Sequence, residues 1–304
     1  MDRFGAMRSF VEIVDQGSLT AASRSLGKSL PTMVRTLAEL EHSLGVVLLR
    51  RTTRRMSLTA EGEVYLEHCR RLVTDVAEVE ALMRTGHAEP KGALRVTAPV
   101  LFGGMHVAPA VTEFVERYPG VDVDLILLDR VVNLVEEGID VAVRIGSLPD
   151  STMIATTVGH MRHVVVASPK LLRREGTPKH PSDLADRTCV RFTGTSTIDN
   201  WRFVDKGKEI QVSVRGNMRC NHAAPMVQAC VAGLGFGRFL AYQVAPAVKA
   251  KQLRIVLRKF EHEPVPVSLA YAEARMVTKR LRVFIDWMKT QLRSDGALGR
   301  GSGR

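Results

Sequence analysis

Apolar residues recur at helical spacing along the first 85 positions and at strand-like spacing beyond residue 92, so the pattern alone divides the chain in two. Phe4, Met7, Phe10, Val11 and Val14 form a stripe that predicts a supporting helix, ended by Gly17. Ser18 can cap a short second helix whose small Ala21 and Ala22 permit close crossing, and Gly27 supplies the backbone freedom for a turn. Ser29 can cap a third helix with Pro31 in its first turn, where a missing amide donor costs little. Met33, Leu37 and Leu40 put one face of that helix in the core and leave Thr32, Arg35 and Thr36 on other faces. After an apolar run over 44–49 come Arg50, Arg51, Arg54 and Arg55, and Met56, Ser57 and Leu58 return to alternation, which predicts a basic hairpin. Thr59 opens a segment without proline, with Glu61 and Glu63 in the first turn, where the helix dipole favours carboxylates. Tyr65, Cys69, Leu72, Val76, Val79 and Met83 follow at heptad spacing. A helix there would be roughly 40 Å long and calls for a partner helix, unless the seam packs on its own chain.

The stretch GHAEPKG over 86–92 breaks this helix and is the best domain boundary. Beyond it ALRVTAP, VDVDLILL and IDVAVRIG read as strands, with helices expected over 101–118 and 130–138, a succession that implies a parallel sheet covered on both faces. A second set runs over 168–266: TCVRF, the strand pair WRFVD and EIQVSVRG, a helix over 223–231, the strand GFGRF and a helix over 241–250. VPVSLAYAE and a last helix over 278–292 are expected to return to the first set, and the closing GALGRGSGR to be a flexible tail.

Composition adds little to this picture but excludes much. With 304 residues, 45% hydrophobic and 25% charged, the chain is that of an ordinary globular protein of two domains. It has no apolar run of about 18 residues, and MDRFGAMRSF lacks an apolar core of signal-peptide type, so a cytoplasmic location away from membranes is expected. Cys69, Cys189, Cys220 and Cys230 show no CxxC spacing and are expected to be reduced, buried thiols. His160 and His163 lie in a strand-like run where residues three apart point to opposite faces, so no metal site is expected. Neither GxSxG nor GxxxxGK[ST] nor HExxH occurs, and GLGFG over 233–237 leaves a helix and enters a strand, the reverse of a dinucleotide loop, so neither cofactor nor enzymatic activity is expected. The net charge of +11 is unevenly placed: residues 1–60 carry 9 Lys+Arg against 5 Asp+Glu, residues 61–89 carry 3 against 7, and the excess lies beyond residue 89. A nucleic-acid reading therefore rests on where particular arginines sit, while the basic C-terminal part suits an anionic ligand or a solvated surface.

Two short helices joined by a tight turn and followed by an arginine-rich hairpin suit duplex DNA, because the second helix enters the major groove and the arginines neutralise phosphates. The segment AASRSLGKSLPTMVRTLAELEHSLGVVLLRRTTRRMSLTAEG resembles the N-terminal winged helix-turn-helix of LysR-type transcriptional regulators. The resemblance spans 1–83 with specific motifs and continues more loosely to about residue 293. It implies an α/β fold class with a winged helix-turn-helix over 1–58, a linker helix for dimerisation and a hinge over 59–88, and a two-lobed α/β effector domain of type 2 periplasmic-binding-protein fold over 89–295. Lobe I would comprise about 92–167 and 267–293, lobe II about 168–266, with the tail over 296–304. RIGSLPDS over 144–151 is similar to one sub-branch of the family. The DNA-binding positions implied are Ser18, Ser29, Pro31, Thr32, Val34 and Arg35, with Arg50, Arg51, Arg54 and Arg55 on the backbone and Thr32 and Arg35 reading bases. Val34 departs from the small polar residue usual there; it can touch a thymine methyl but cannot donate a hydrogen bond, which changes the preferred bases.

Ligands of such sheets bind beyond the carboxyl ends of the strands, so the effector candidates are Thr97, Ala98, Pro99 and Val100 at the end of the first strand and Arg144 at the end of another. In the second lobe they are Thr193, Thr195, Ser196, Asn221, His222, Phe236 and Arg238. Together they are expected to line an interlobe cleft that holds a carboxylate through arginine or helix amides. The partners implied are double-stranded promoter DNA, a small-molecule effector and further copies of the chain as a homodimer or homotetramer, with contact to RNA polymerase left open. A solute-binding protein would need an export signal and no arginine wing. An enzyme would need a positioned nucleophile or base.

Overall fold

In the computed structural model the described residues are 2–51, 56–85, 89–147, 153–193, 200–272, 278–296, 298 and 299, the side chains of Arg51, Glu78, Val79 and 81–85 excepted. They form two compact units, Met1–Ala93 and Leu94–Arg304.

The first unit opens with α1 (Arg3–Asp15), α2 (Leu19–Ser25) and α3 (Leu30–Leu44). Each starts at the residue whose side chain can cap it: Asp2 accepts from the amide of Gly5, Ser18 from that of Ala21 and Ser29 from that of Thr32. Gly45 ends α3 in the left-handed region, at φ 71°, which an L side chain adopts only at a cost. β1 (Leu49–Arg51) and β2 (Met56–Leu58) then pair antiparallel, Arg50 opposite Ser57. Glu41 of α3 accepts from the amides of Leu48 and Leu49 at 2.8 and 3.1 Å, so the hairpin is tied directly to the third helix. α4 (Ala60–Thr85) is the expected long helix, and the hydroxyl of Thr59 both caps it and donates to the carbonyl of Val47.

Two expectations about apolar faces change. Helix α1 buries Ala6, Ser9, Phe10 and Ile13 and leaves Phe4 exposed, so its inner face is rotated from the expected stripe. The heptad seam of α4 is divided: Tyr65 and Cys69, together with Leu66 beside the seam, pack into the core with Phe10 on the same chain, whereas Leu72 and Val76 are exposed. The side chains of Val79 and Met83 lie outside those described.

The second unit contains two five-stranded sheets. Lobe I is built from β3 (Gly92–Ala98), β4 (Val121–Leu127), β5 (Val141–Ile145), β6 (Met153–Met161) and β14 (Val265–Ala272), in the order β4-β3-β5-β14-β6. Lobe II is built from β7 (His163–Ala167), β8 (Cys189–Phe192), β11 (Arg219–Cys220), β12 (Phe236–Leu240) and β13 (Arg254–Val256), in the order β11-β8-β12-β7-β13. Between β3 and β4 the chain is helical: α5 (Val100–Phe102), a π-helical stretch Gly103–Val107 and α6 (Ala108–Arg117). Lobe II carries α7 (Pro169–Glu175), the separate hairpin of β9 (Asn200–Asp205) and β10 (Lys208–Ser213), α8 (Ala223–Val231) and α9 (Ala241–Lys249). The last helix, α10 (Lys279–Ser294), is capped by Thr278 and packs on lobe I with Phe114 against Phe284.

Four features differ from the sequence-based expectation. The stretch 130–138 holds only turns, because the Asn133 side chain accepts from the amides of Val135 and Glu136 and closes a single turn. The lobe I sheet is mixed: β3 and β5 are parallel, but the returning β14 runs antiparallel to both β5 and β6. Strand β7 belongs to the second sheet, so the first crossing between lobes is Arg162 alone and not a boundary after Ala167, while β14 is back in lobe I from Val265. In the tail, Gly299 bridges to His160 and Leu298 is buried against Gly159, so these two residues are docked and not free. The two crossings are joined to each other by Arg162 and Glu261 at 3.1 Å. Burial raises the Glu261 carboxyl above its ordinary range.

Candidate functional site

On α3, Met33, Leu37 and Leu40 are buried in the core of the unit, which turns Ser29, Pro31, Thr32, Val34 and Arg35 outward as one exposed strip at the start of the helix. Arg35 is 83% exposed and its Nε donates to Glu39 at 2.8 Å, an i,i+4 surface pair that water and salt weaken and that a base edge can replace. The Ser29 hydroxyl is shared with Thr32, 2.7 Å away, and with the helix amide. Ser18 is half-buried and committed to its own cap, so its part in any DNA contact is to orient α2. Arg50 is exposed on β1 beside α3, the backbone of Arg51 continues that strand, and Arg54 and Arg55 lie outside the described residues.

The effector candidates separate into several groups. Between the lobes lies a cavity of about 540 Å³, to which Pro99 and Arg238 contribute. The side chain of Thr97 is buried in β3 with no partner for its hydroxyl among the described residues, and Ala98 is part of the lobe I core. The amide of Val100 is already taken: it donates to Asp129 Oδ1 at 3.0 Å. Arg144 is half-buried on β5 with Nη2 unpartnered among the described residues, and the next two residues, Ile145 and Gly146, reach the cavity in its place. Thr193 donates its amide to Cys220, Asn221 is exposed, and His222 Nδ1 lies 3.3 Å from Asp129 Oδ2. Phe236 is a core residue under Arg187, so its place among the ligand candidates is corrected: the aromatic side chain points into lobe II. Thr195 and Ser196 lie outside the described residues.

Most of the cavity wall comes from residues outside the expected set. The β9–β10 hairpin supplies Trp201, Arg202 and Gln211, helix α9 supplies Tyr242 and Gln243, and the turn after β4 supplies Asp129. Arg238 stands on β12 where an apolar residue would continue the strand, with no acidic partner among the described residues. Burial, and then the neighbouring Arg202, push its guanidinium down to about 10, still cationic at neutral pH. His163 is driven to about 3 by burial first and by Arg238 and His262 after that, so it faces the cavity as a neutral ring.

That depression has a stability consequence. The unfolded chain protonates His163 near pH 6.5 and the folded one near pH 3, so its contribution is present above 6.5 and is lost as the pH falls between those values. Melting of residues 94–304 is expected to weaken on going from about pH 7 to about pH 5, by at most about 1.4 kcal/mol per pH unit. His163→Gln is expected to flatten the profile, and an unchanged profile would contradict a neutral His163.

The chain matches two family models, the bacterial regulatory helix-turn-helix protein of the lysR family over residues 4–63 and the LysR substrate binding domain over residues 87–293. The chain belongs to the LysR family. Among the relatives of this LysR chain, an HTH-type transcriptional repressor of Pseudomonas aeruginosa, PA14_22550, is 35% identical over 95% of the chain and 92% of its own length. An HTH-type transcriptional regulator of Xanthomonas campestris is 34% identical over 94% and 84%. The solved structure of CrgA, a LysR-type transcriptional regulator from Neisseria meningitidis, aligns with a TM-score of 0.60 at 29% identity, covering 95% of the chain and 98% of CrgA. The LysR chain is thus a transcriptional regulator with a DNA-binding helix-turn-helix and a two-lobed effector domain. No helix of the described residues is long and apolar enough to cross a membrane.

Proposed function

We propose that this LysR regulator acts in the cytoplasm as a homodimer or homotetramer, holds promoter DNA through the Thr32–Arg35 strip of α3 and the arginine wing, and changes that grip when a small anionic effector enters the interlobe cavity. The observation that carries the DNA part is the exposed strip on α3, held against the hairpin by Glu41. In this reading Thr32, Val34 and Arg35 meet base edges, and Arg50, Arg51, Arg54 and Arg55 meet phosphates. Exposed Val64, Leu72 and Val76, which follow one another at helical spacing along α4, support a second copy as the neighbour of that helix. RNA polymerase is a further contact open to a regulator bound at a promoter.

The effector part rests on Arg238, a half-buried guanidinium without an acidic partner among the described residues, seconded by Arg202. Of the expected cleft residues, Pro99 and Arg238 keep this role; His222 keeps an indirect one through Asp129. Titration of promoter-length duplex over a salt series tests the DNA arm. Log affinity is expected to fall linearly with log salt, and Arg50→Ala to reduce the slope by about one for every sequence tried. An affinity independent of salt would contradict phosphate binding by the wing.

A further inference from the structure

The sequence points to the helix start after β3 as the place for an effector carboxylate, yet the chain already has a carboxylate there. Asp129 is the second residue after β4, and the amide of Leu128 between them donates to Ala98 O at 2.9 Å, which holds the turn against the end of β3. Asp129 Oδ1 takes the Val100 amide, and Oδ2 faces His222 of lobe II at 3.3 Å. Among the described residues, Asp129 is also the only acidic one that lines the cavity. The guanidiniums form the other pole. Arg202 on β9 and Arg238 on β12 belong to lobe II, whereas Asp129 stands in the turn after β4 of lobe I, so the positive and negative groups are supplied by different walls of the cavity. The surfaces of Trp201, Phe239 and Leu240 are largely apolar.

We infer that the cavity selects a two-ended molecule, a carboxylate at Arg238 joined through an apolar body to a hydrogen-bond donor, an ammonium or hydroxyl, at Asp129. This rests on the reading of Arg238 as the acid anchor. A second carboxylate at the helix start would meet Asp129 at close range with like charge, and an apolar end would leave the Asp129 oxygens desolvated without a new partner. A donor takes up a free lone pair of Asp129, and because the same carboxylate faces His222, it reports to both lobes at once. Asp129 is therefore a specificity-determining residue.

The experiment compares four probes by calorimetry and thermal shift on the full chain: 4-methylbenzoate, 4-(hydroxymethyl)benzoate, 4-(aminomethyl)benzoate and terephthalate. The donor-bearing probes are expected to bind at least tenfold more tightly than 4-methylbenzoate, with terephthalate excluded. Asp129→Asn keeps a carbonyl oxygen for the Val100 amide but loses the charge, and is expected to bring the four within about threefold of each other. Equal affinities in the parent protein, preference for terephthalate, a preference that survives in Asp129→Asn, or no binding of the donor probes would each overturn the inference. Failure of the anchor is separately visible: if Arg238→Met retains the affinities while the donor preference still depends on Asp129, the acid does not sit at Arg238 but the donor site stands.

Discussion

Gly62→Ala is expected to unfold the DNA-binding unit while leaving the effector unit intact. A Cβ at position 62 would lie 2.1 Å from the carbonyl oxygen of Leu48 and 3.0 Å from its carbon. The obstacle is backbone and cannot rotate aside, and the same oxygen accepts from the amide of Thr59 at 3.0 Å, so the helix start and the hairpin would be forced apart together. Overpacking against movable side chains costs about 1–3 kcal/mol, and a fixed carbonyl sets the expectation at or above the upper end, a large part of the stability of a unit this size. Two-probe thermal denaturation is expected to lose the transition of residues 1–93 and keep that of 94–304, with duplex affinity falling more than about a hundredfold. Gly104→Ala, where nothing lies within 4 Å of the added methyl, is the control and is expected to melt as the parent does. Equal melting and DNA binding for Gly62→Ala would contradict the close seat of α4 on the wing.

The second large effect is expected at Arg238. Replacement by Met keeps an unbranched side chain of comparable reach in the cavity and removes the only cationic group on β12. A charge-assisted hydrogen bond in a partly desolvated site contributes about 1.5–3 kcal/mol, so Arg238→Met is expected to weaken an acidic effector by about 10- to 150-fold. Removing a half-buried charge that lacks a carboxylate partner among the described residues is at the same time expected to leave the melting point of residues 94–304 unchanged or higher. The two readings move in opposite directions. A variant that melts lower and binds as before would make Arg238 a structural residue and remove the anchor.

The contrast between these sites reflects how far apart in sequence their residues lie. Everything that builds the strip on α3 is local: Ser29 caps over three residues, Met33, Leu37 and Leu40 fix the buried face, and Arg35 falls opposite. Those features are visible in the consecutive letters from Ser29 to Leu40. The cavity instead gathers Asp129, Trp201, Arg238 and Tyr242, joined only through sheet order and two crossings. Arg238 is legible as a residue of the second-lobe strand GFGRF, and Asp129 falls under the same strand-end rule that singles out Pro99, since it follows VDVDLILL directly. Trp201 and Arg202 read as one of two ordinary strands, and nothing local says that this hairpin faces the other lobe. Strand direction was equally hidden: VPVSLAYA looks the same whether it runs parallel or antiparallel to β5. The seam of α4 misled in part because heptad spacing does not distinguish α1 of the same chain from a helix of another copy, and Cys69 faces the former.

The reading of bases by α3 is tested most directly by measuring the affinity of the full chain and of Arg35→Ala for its operator duplex and for a scrambled duplex of equal length at one salt concentration. The parent protein is expected to prefer the operator, and Arg35→Ala to lose about 10- to 100-fold of that preference while holding the scrambled duplex nearly as well. Equal losses on both duplexes, or none on either, would contradict a helix that reads sequence through Arg35.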